Sequence, residues 1–123
     1  MNGIKSILTD TNILVYYLEG RQQLIPYTGY NFLISIITEV EFLGVKHIPG
    51  ISLKKRESLI NDTIVLQFDE TIKNIAINIK QVTALKTPDA IIAATAIKYQ
   101  LPLLTADKAF RKVHDLNLFL LEL

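Results

Sequence analysis

The chain has 123 residues, half of them apolar, which is the size and make-up of a single domain, 1–123, able to bury a core unaided. The absence of Cys excludes disulfides, thiolate zinc sites and cysteine nucleophiles, and fits a reducing, cytoplasmic setting. A net charge of +1 does not advertise a strongly basic nucleic-acid binder, and without a leader-like start or an apolar stretch of about 18 residues no membrane role is expected.

Five short apolar runs, at 4–9, 31–37, 63–68, 103–105 and 117–121, are of strand length. Most are continuously apolar rather than alternating, the mark of strands covered on both faces. Helices are predicted at 12–18, 38–47, 53–61, 69–82 and 88–99, with a short turn at 108–111. The segment 69–82 carries a one-sided stripe of Ile72, Ile75, Ile79 and Val82, whereas 88–99 is apolar nearly all round and belongs deep in the fold. Thr87 before Pro88 suits an N-cap followed by a proline that has no amide to lose. Residues 20–29 and 47–52 look like loops. Strands alternating with helices predict an α/β domain with a mostly parallel central sheet of about five strands and helices on both faces.

In such folds chemistry sits at the carboxyl ends of the strands, so the acids there are the candidates. Asp10 leaves the first strand, Glu41 follows the second, Asp89 is second in the helix opened by Pro88, and Asp107 lies two residues beyond the strand 103–105. Glu39 and Glu41 differ by about 200° around a helix, so they face different ways. Glu39 shares its side with Lys46 and is expected in water; Glu41 has Gly44 nearby, leaving room for a close neighbour. Each acid taken alone could be a helix cap. Four together at one sheet edge repel one another and call for a cation. With two dispersed His and no Cys, the fitting ions are the hard, oxygen-seeking Mg²⁺ or Mn²⁺ rather than zinc. Such a pocket suits phosphodiester hydrolysis.

Four segments in order, Leu8-Thr9-Asp10-Thr11-Asn12, Ser35-Ile36-Ile37-Thr38 leading to Glu41-Phe42-Leu43-Gly44, Pro88-Asp89 through Ala96, and Leu104-Thr105-Ala106-Asp107-Lys108-Ala109-Phe110, make the chain resemble the PIN-domain nucleases. It is most similar to the small VapC-like toxins of prokaryotic toxin–antitoxin pairs. The resemblance implies a Mg²⁺- or Mn²⁺-dependent endoribonuclease in which Asp10, Glu41, Asp89 and Asp107 are catalytic and gather the metal. Asn12 and Thr105 would support them by hydrogen bonding, and the product ends would be 5′-phosphate and 3′-hydroxyl. It further implies a homodimer and an antitoxin partner seated in a groove. Many relatives carry another Asp where this chain has Ala109, a departure that bears on a second metal.

With those four acids set aside, eight remain against 13 bases, so the near-neutral total conceals an acidic pocket in a basic surface. Lys108, Arg111 and Lys112, with His114, are candidate RNA contacts near Asp107, and Lys54-Lys55-Arg56 is a second basic group. Tyr16, Tyr17, Tyr27 and Tyr30 could pack on the sheet or form a partner surface. Two other functions compete. One is a non-catalytic binding module on the same fold; the other is an aspartyl phosphatase, disfavoured because Asn12 stands where its acid/base Asp belongs.

Overall fold

A computed structural model describes residues 5–123; position 4 of the first predicted strand lies outside the described residues. Strands β1 (Ser6–Thr9), β2 (Asn31–Ser35), β3 (Ile64–Leu66), β4 (Leu103–Thr105) and β5 (Leu118–Leu120) form one sheet in the order β3-β2-β1-β4-β5. Every pairing is parallel. The helices are α1 (Thr11–Leu18), α2 (Ile36–Leu43), α3 (Gly50–Asn61), α4 (Glu70–Val82) and α5 (Thr87–Tyr99). Two 3-10 helices, Gln22–Tyr27 and Lys108–Lys112, complete the chain.

The sheet has a core on each face because successive strand residues point to opposite sides. Leu8, Leu33, Leu66, Leu103 and Leu118 pack with α4 and α5, whose Ile72, Ile79, Ala90 and Ala94 are buried against them. Ile7, Phe32, Leu104 and Phe119 meet Ile13, Leu24 and the tyrosines 16, 27 and 30 on the other face. Beside them Leu14, Ile34, Phe42, Leu59 and Ile60 form a third cluster beneath α1, α2 and α3. The tyrosines therefore do pack on the sheet: Tyr17 meets Phe32 edge-on and Tyr27 lies 5.6 Å from Tyr30. Arg56 is also structural, donating to the Phe42 carbonyl at 2.8 Å and lying over that ring, which takes it out of the basic group 54–56. Among the described residues no helix is long and apolar enough to cross a membrane.

Several boundaries differ from the sequence expectation for local reasons. The second strand stops at Ser35, because its hydroxyl accepts from the Ile37 amide and caps α2, so Ile36 and Ile37 are helical. That helix ends at Leu43 rather than 47. Gly44 donates its amide to the Val40 carbonyl, and a Cβ there would stand 2.5 Å from that oxygen. The space left by Gly44 thus serves the helix end and not a neighbour of Glu41. Thr87 is not the N-cap of α5: Lys86 holds that position, with no side-chain cap, and Thr87 and Pro88 lie within the first turn. Helix α3 begins at Gly50 rather than 53, and the segment 20–29 contains the first 3-10 helix.

Helices α4 and α5 pair closely, and Asp69 ties them together. Its carboxylate accepts from the Ile72 amide at 2.8 Å, capping α4, and also pairs with Lys98 near the end of α5. The amide bond first and Lys98 second hold its pKa below the usual carboxylate value of 3.8. A depressed carboxyl stabilises the fold when charged, a contribution present above the unfolded pKa and lost as pH falls through the folded one. Asp69→Asn is expected to lower the melting temperature at pH 7, and thermal scans should show the gap to wild type closing as pH drops below 3.8.

Candidate active site at the carboxyl edge of the sheet

The central strand β1 delivers Asp10 to the sheet edge. The Asp10 amide still donates to the Leu104 carbonyl at 3.0 Å, so the residue is held by the sheet ladder before α1 begins. Only 7% of Asp10 is exposed. Its Oδ1 accepts from the Thr11 amide at 2.7 Å and its Oδ2 from the Thr105 hydroxyl at 2.7 Å. A buried carboxylate is tolerable only with such donors. Burial is nonetheless the largest influence and raises the Asp10 pKa above 3.8; the two hydrogen bonds oppose it, while the charges of Asp107 and Glu41 add to it.

Thr105, at the end of β4, links Asp10 to Asp107. Its oxygen donates to Asp10 and accepts the Asp107 amide at 3.0 Å. Asp107 is exposed and caps the 3-10 helix Lys108–Lys112 through the Ala109 amide at 2.9 Å. On the other side, Glu41 projects from α2 and accepts from the Thr11 hydroxyl at 2.7 Å. Glu39 is half-buried and Glu41 exposed, so the two glutamates divide their surroundings differently from the expectation that put Glu39 in water.

Asp89 lies in the first turn of α5, half-buried, and among the described residues its carboxylate accepts no hydrogen bond, so it does not cap its helix. Desolvation pushes its carboxyl up from 3.8 to about 6, and the charges of Asp10, Asp107 and Glu41 push it in the same direction against a smaller opposing effect of Lys86. The structure therefore brings all four acids into one electrostatic neighbourhood. They do not enclose an ion as they are oriented, since no three Asp, Glu or His side chains converge at ligand spacing among the described residues. The donor set is all oxygen, three of the four acids are at least partly exposed, and burial first, with the charges of the neighbouring acids added, raises the pKa values of Asp10 and Asp89. That chemistry fits a hard divalent cation.

Asn12 is exposed and its side chain makes no hydrogen bond among the described residues. The bonding expected of it belongs instead to Thr11, which the sequence reading assigned no role. Thr38 was also missed: it is fully buried and its Oγ1 lies 3.3 Å from that of Thr11. Its spacing three residues before Glu41 in a helix was the available signal. Lys108, Arg111, Lys112 and His114 are exposed in and just beyond the 3-10 helix capped by Asp107.

The PIN domain family matches residues 7–116, and the chain belongs to that family. Solved structures agree. A toxin–antitoxin complex from Klebsiella pneumoniae contains a chain 28% identical, with a TM-score of 0.76 over 89% of this chain and 94% of that one. DNA-bound VapBC from Salmonella typhimurium is 21% identical, with a TM-score of 0.79 over 95% and 98% of the two chains. VapBC-1 from nontypeable Haemophilus influenzae is 24% identical, with a TM-score of 0.75 over 94% and 97%. The last two likenesses show the fold. No curated protein matches the chain.

The bridge made by Thr105 predicts a measurable stability loss. Thr105→Val keeps the shape but leaves the buried Asp10 Oδ2 without its donor, which is expected to cost about 1–3 kcal/mol. Denaturant unfolding at pH 7 checks this, and the cost should shrink in Asp10→Asn, where no buried charge is stranded.

Proposed function

We infer that the protein is a divalent-cation-dependent endoribonuclease and the toxin half of a toxin–antitoxin pair. The observation that carries this reading is the buried Asp10 surrounded by three further carboxylates whose charges act on one another at the carboxyl edge of the sheet. Membership of a family whose members are generally nucleases supports it. The solved Klebsiella and Salmonella structures are described as a toxin–antitoxin complex and as DNA-bound VapBC, which supports an antitoxin partner here as well. A homodimer acting in the cytoplasm belongs to the same proposal.

Asp10, Glu41, Asp89 and Asp107 would hold Mg²⁺ or Mn²⁺. When bound, such a cation eases water attack on phosphorus and stabilises charge on the leaving oxygen. The protein's own groups do the rest. Asp10 is fixed by two donors, so it presents a constant orientation. Asp89, with its carboxyl near 6, binds a proton or a cation in competition, which ties cation affinity to pH. Lys108, Arg111 and Lys112 would hold backbone phosphates flanking the scissile bond, because their charges stand beside Asp107 in the chain without being ligands themselves. The open spacing of the acids favours one competing reading, a binding module that keeps the fold without cleaving.

An assay on a panel of structured RNAs, tRNAs included, separates the two. Cleavage is expected with Mg²⁺ or Mn²⁺, to vanish in excess EDTA, and to fall by on the order of 100-fold or more in Asp10→Asn. RNA that is bound but never cut with either ion would leave the binding module as the function.

A further inference from the structure

Two threonines join the acids in pairs, and only one of them was expected. Thr105 connects Asp10 to Asp107 through its hydroxyl. Thr11 makes the matching connection on the other side, with its amide 2.7 Å from Asp10 Oδ1 and its hydroxyl 2.7 Å from Glu41 Oε1. We propose that Thr11 is a positioning residue that tethers Glu41 beside Asp10 for cation binding, with the buried Thr38 hydroxyl fixing the direction of the tether. This rests on the cation-binding reading of the site and adds to it the residue that sets the position of Glu41.

Proton counting gives the tether its direction. A carboxylate only accepts, so the one hydroxyl proton of Thr11 must go to Glu41. At the 3.3 Å contact with Thr38 the Thr11 oxygen then has to accept, and Thr38 donates. The chain Thr38 to Thr11 to Glu41 runs one way, from a fully buried hydroxyl to an exposed acid. Each bond in such a chain polarises the next.

The geometry also explains why Glu41 needs this and Asp10 does not. Asp10 is short, buried and bonded at both oxygens. Glu41 is exposed on a side chain with one more rotatable bond, and without a tether it would sample water freely. The tether uses only Oε1 among the described residues, which leaves Oε2 for an ion. A ligating carboxylate is ordinarily held in this way, and loss of such a support costs about 10- to 100-fold in metal affinity.

The test is Mn²⁺ binding measured by calorimetry on the full chain, with no RNA present. Thr11→Val keeps the shape and removes the hydroxyl, while its amide still serves Asp10. Affinity is expected to fall about 10- to 100-fold in Thr11→Val and to return in Thr11→Ser. In a Glu41→Gln background the same Thr11→Val change should alter affinity by less than about threefold, because the tether then has no ligand to position. Thr11→Ala is read in the same way if the valine variant does not fold, folding being judged by melting temperature in EDTA. Wild-type-like affinity in folded Thr11→Val or Thr11→Ala, or an equal loss with and without Glu41, overturns the tether and leaves the cation site standing. A wild-type protein that binds no Mn²⁺ overturns the site itself and the tether with it.

Discussion

A carboxylate buried at the end of the central strand is the constraint on which the rest of the site depends. Asp10 cannot be placed there cheaply, since a charge out of water is stable only when bonded. Its two donors come from opposite directions, the Thr11 amide opening α1 and the Thr105 hydroxyl closing β4. The pairing of β1 with β4, Leu8 with Leu103 and Thr9 with Leu104, is what sets Thr105 at that distance. Sheet register and charge burial are thus one arrangement.

Around that fixed charge the other acids are held loosely and at different exposures. Asp107 is a cap that happens to face Asp10, Glu41 is bonded to a threonine, and the Asp89 carboxylate has no hydrogen-bond partner among the described residues. Asp89 feels both influences that raise a carboxyl pKa, partial burial first and then the charges of three acidic neighbours. The four acids are thus held unequally, Asp10 at both oxygens, Glu41 and Asp107 at one each, and the Asp89 carboxylate at neither among the described residues.

Much of this was legible in the residues. Continuous apolar runs pointed to parallel strands covered on both faces, and Asp10, Glu41 and Asp107 could be placed at the carboxyl edge by counting from strand ends, whereas Asp89 follows β3 only after α4 and its place at that edge was not fixed by the pattern. What escaped was set by single hydrogen bonds between distant residues. Ser35 cuts an unbroken apolar run because its hydroxyl reaches the Ile37 amide. Thr87 looks like a better cap than Lys86, yet the chain turns into α5 one residue earlier. Thr11 was passed over for Asn12, although the side chains differ in direction and only the first meets Glu41. Arg56 read as a free cation because nothing local shows that the Phe42 ring and carbonyl lie beneath it.

The central claim is that these acids form one repulsive pocket which a cation relieves. Carbon NMR titration of the aspartate side chains, in EDTA and again with saturating Mg²⁺, tests it most directly. The account predicts an Asp89 midpoint of about 6 in EDTA that falls when Mg²⁺ is added, since the ion favours the charged form. A midpoint near the ordinary 3.8 in EDTA, unmoved by Mg²⁺, would contradict it.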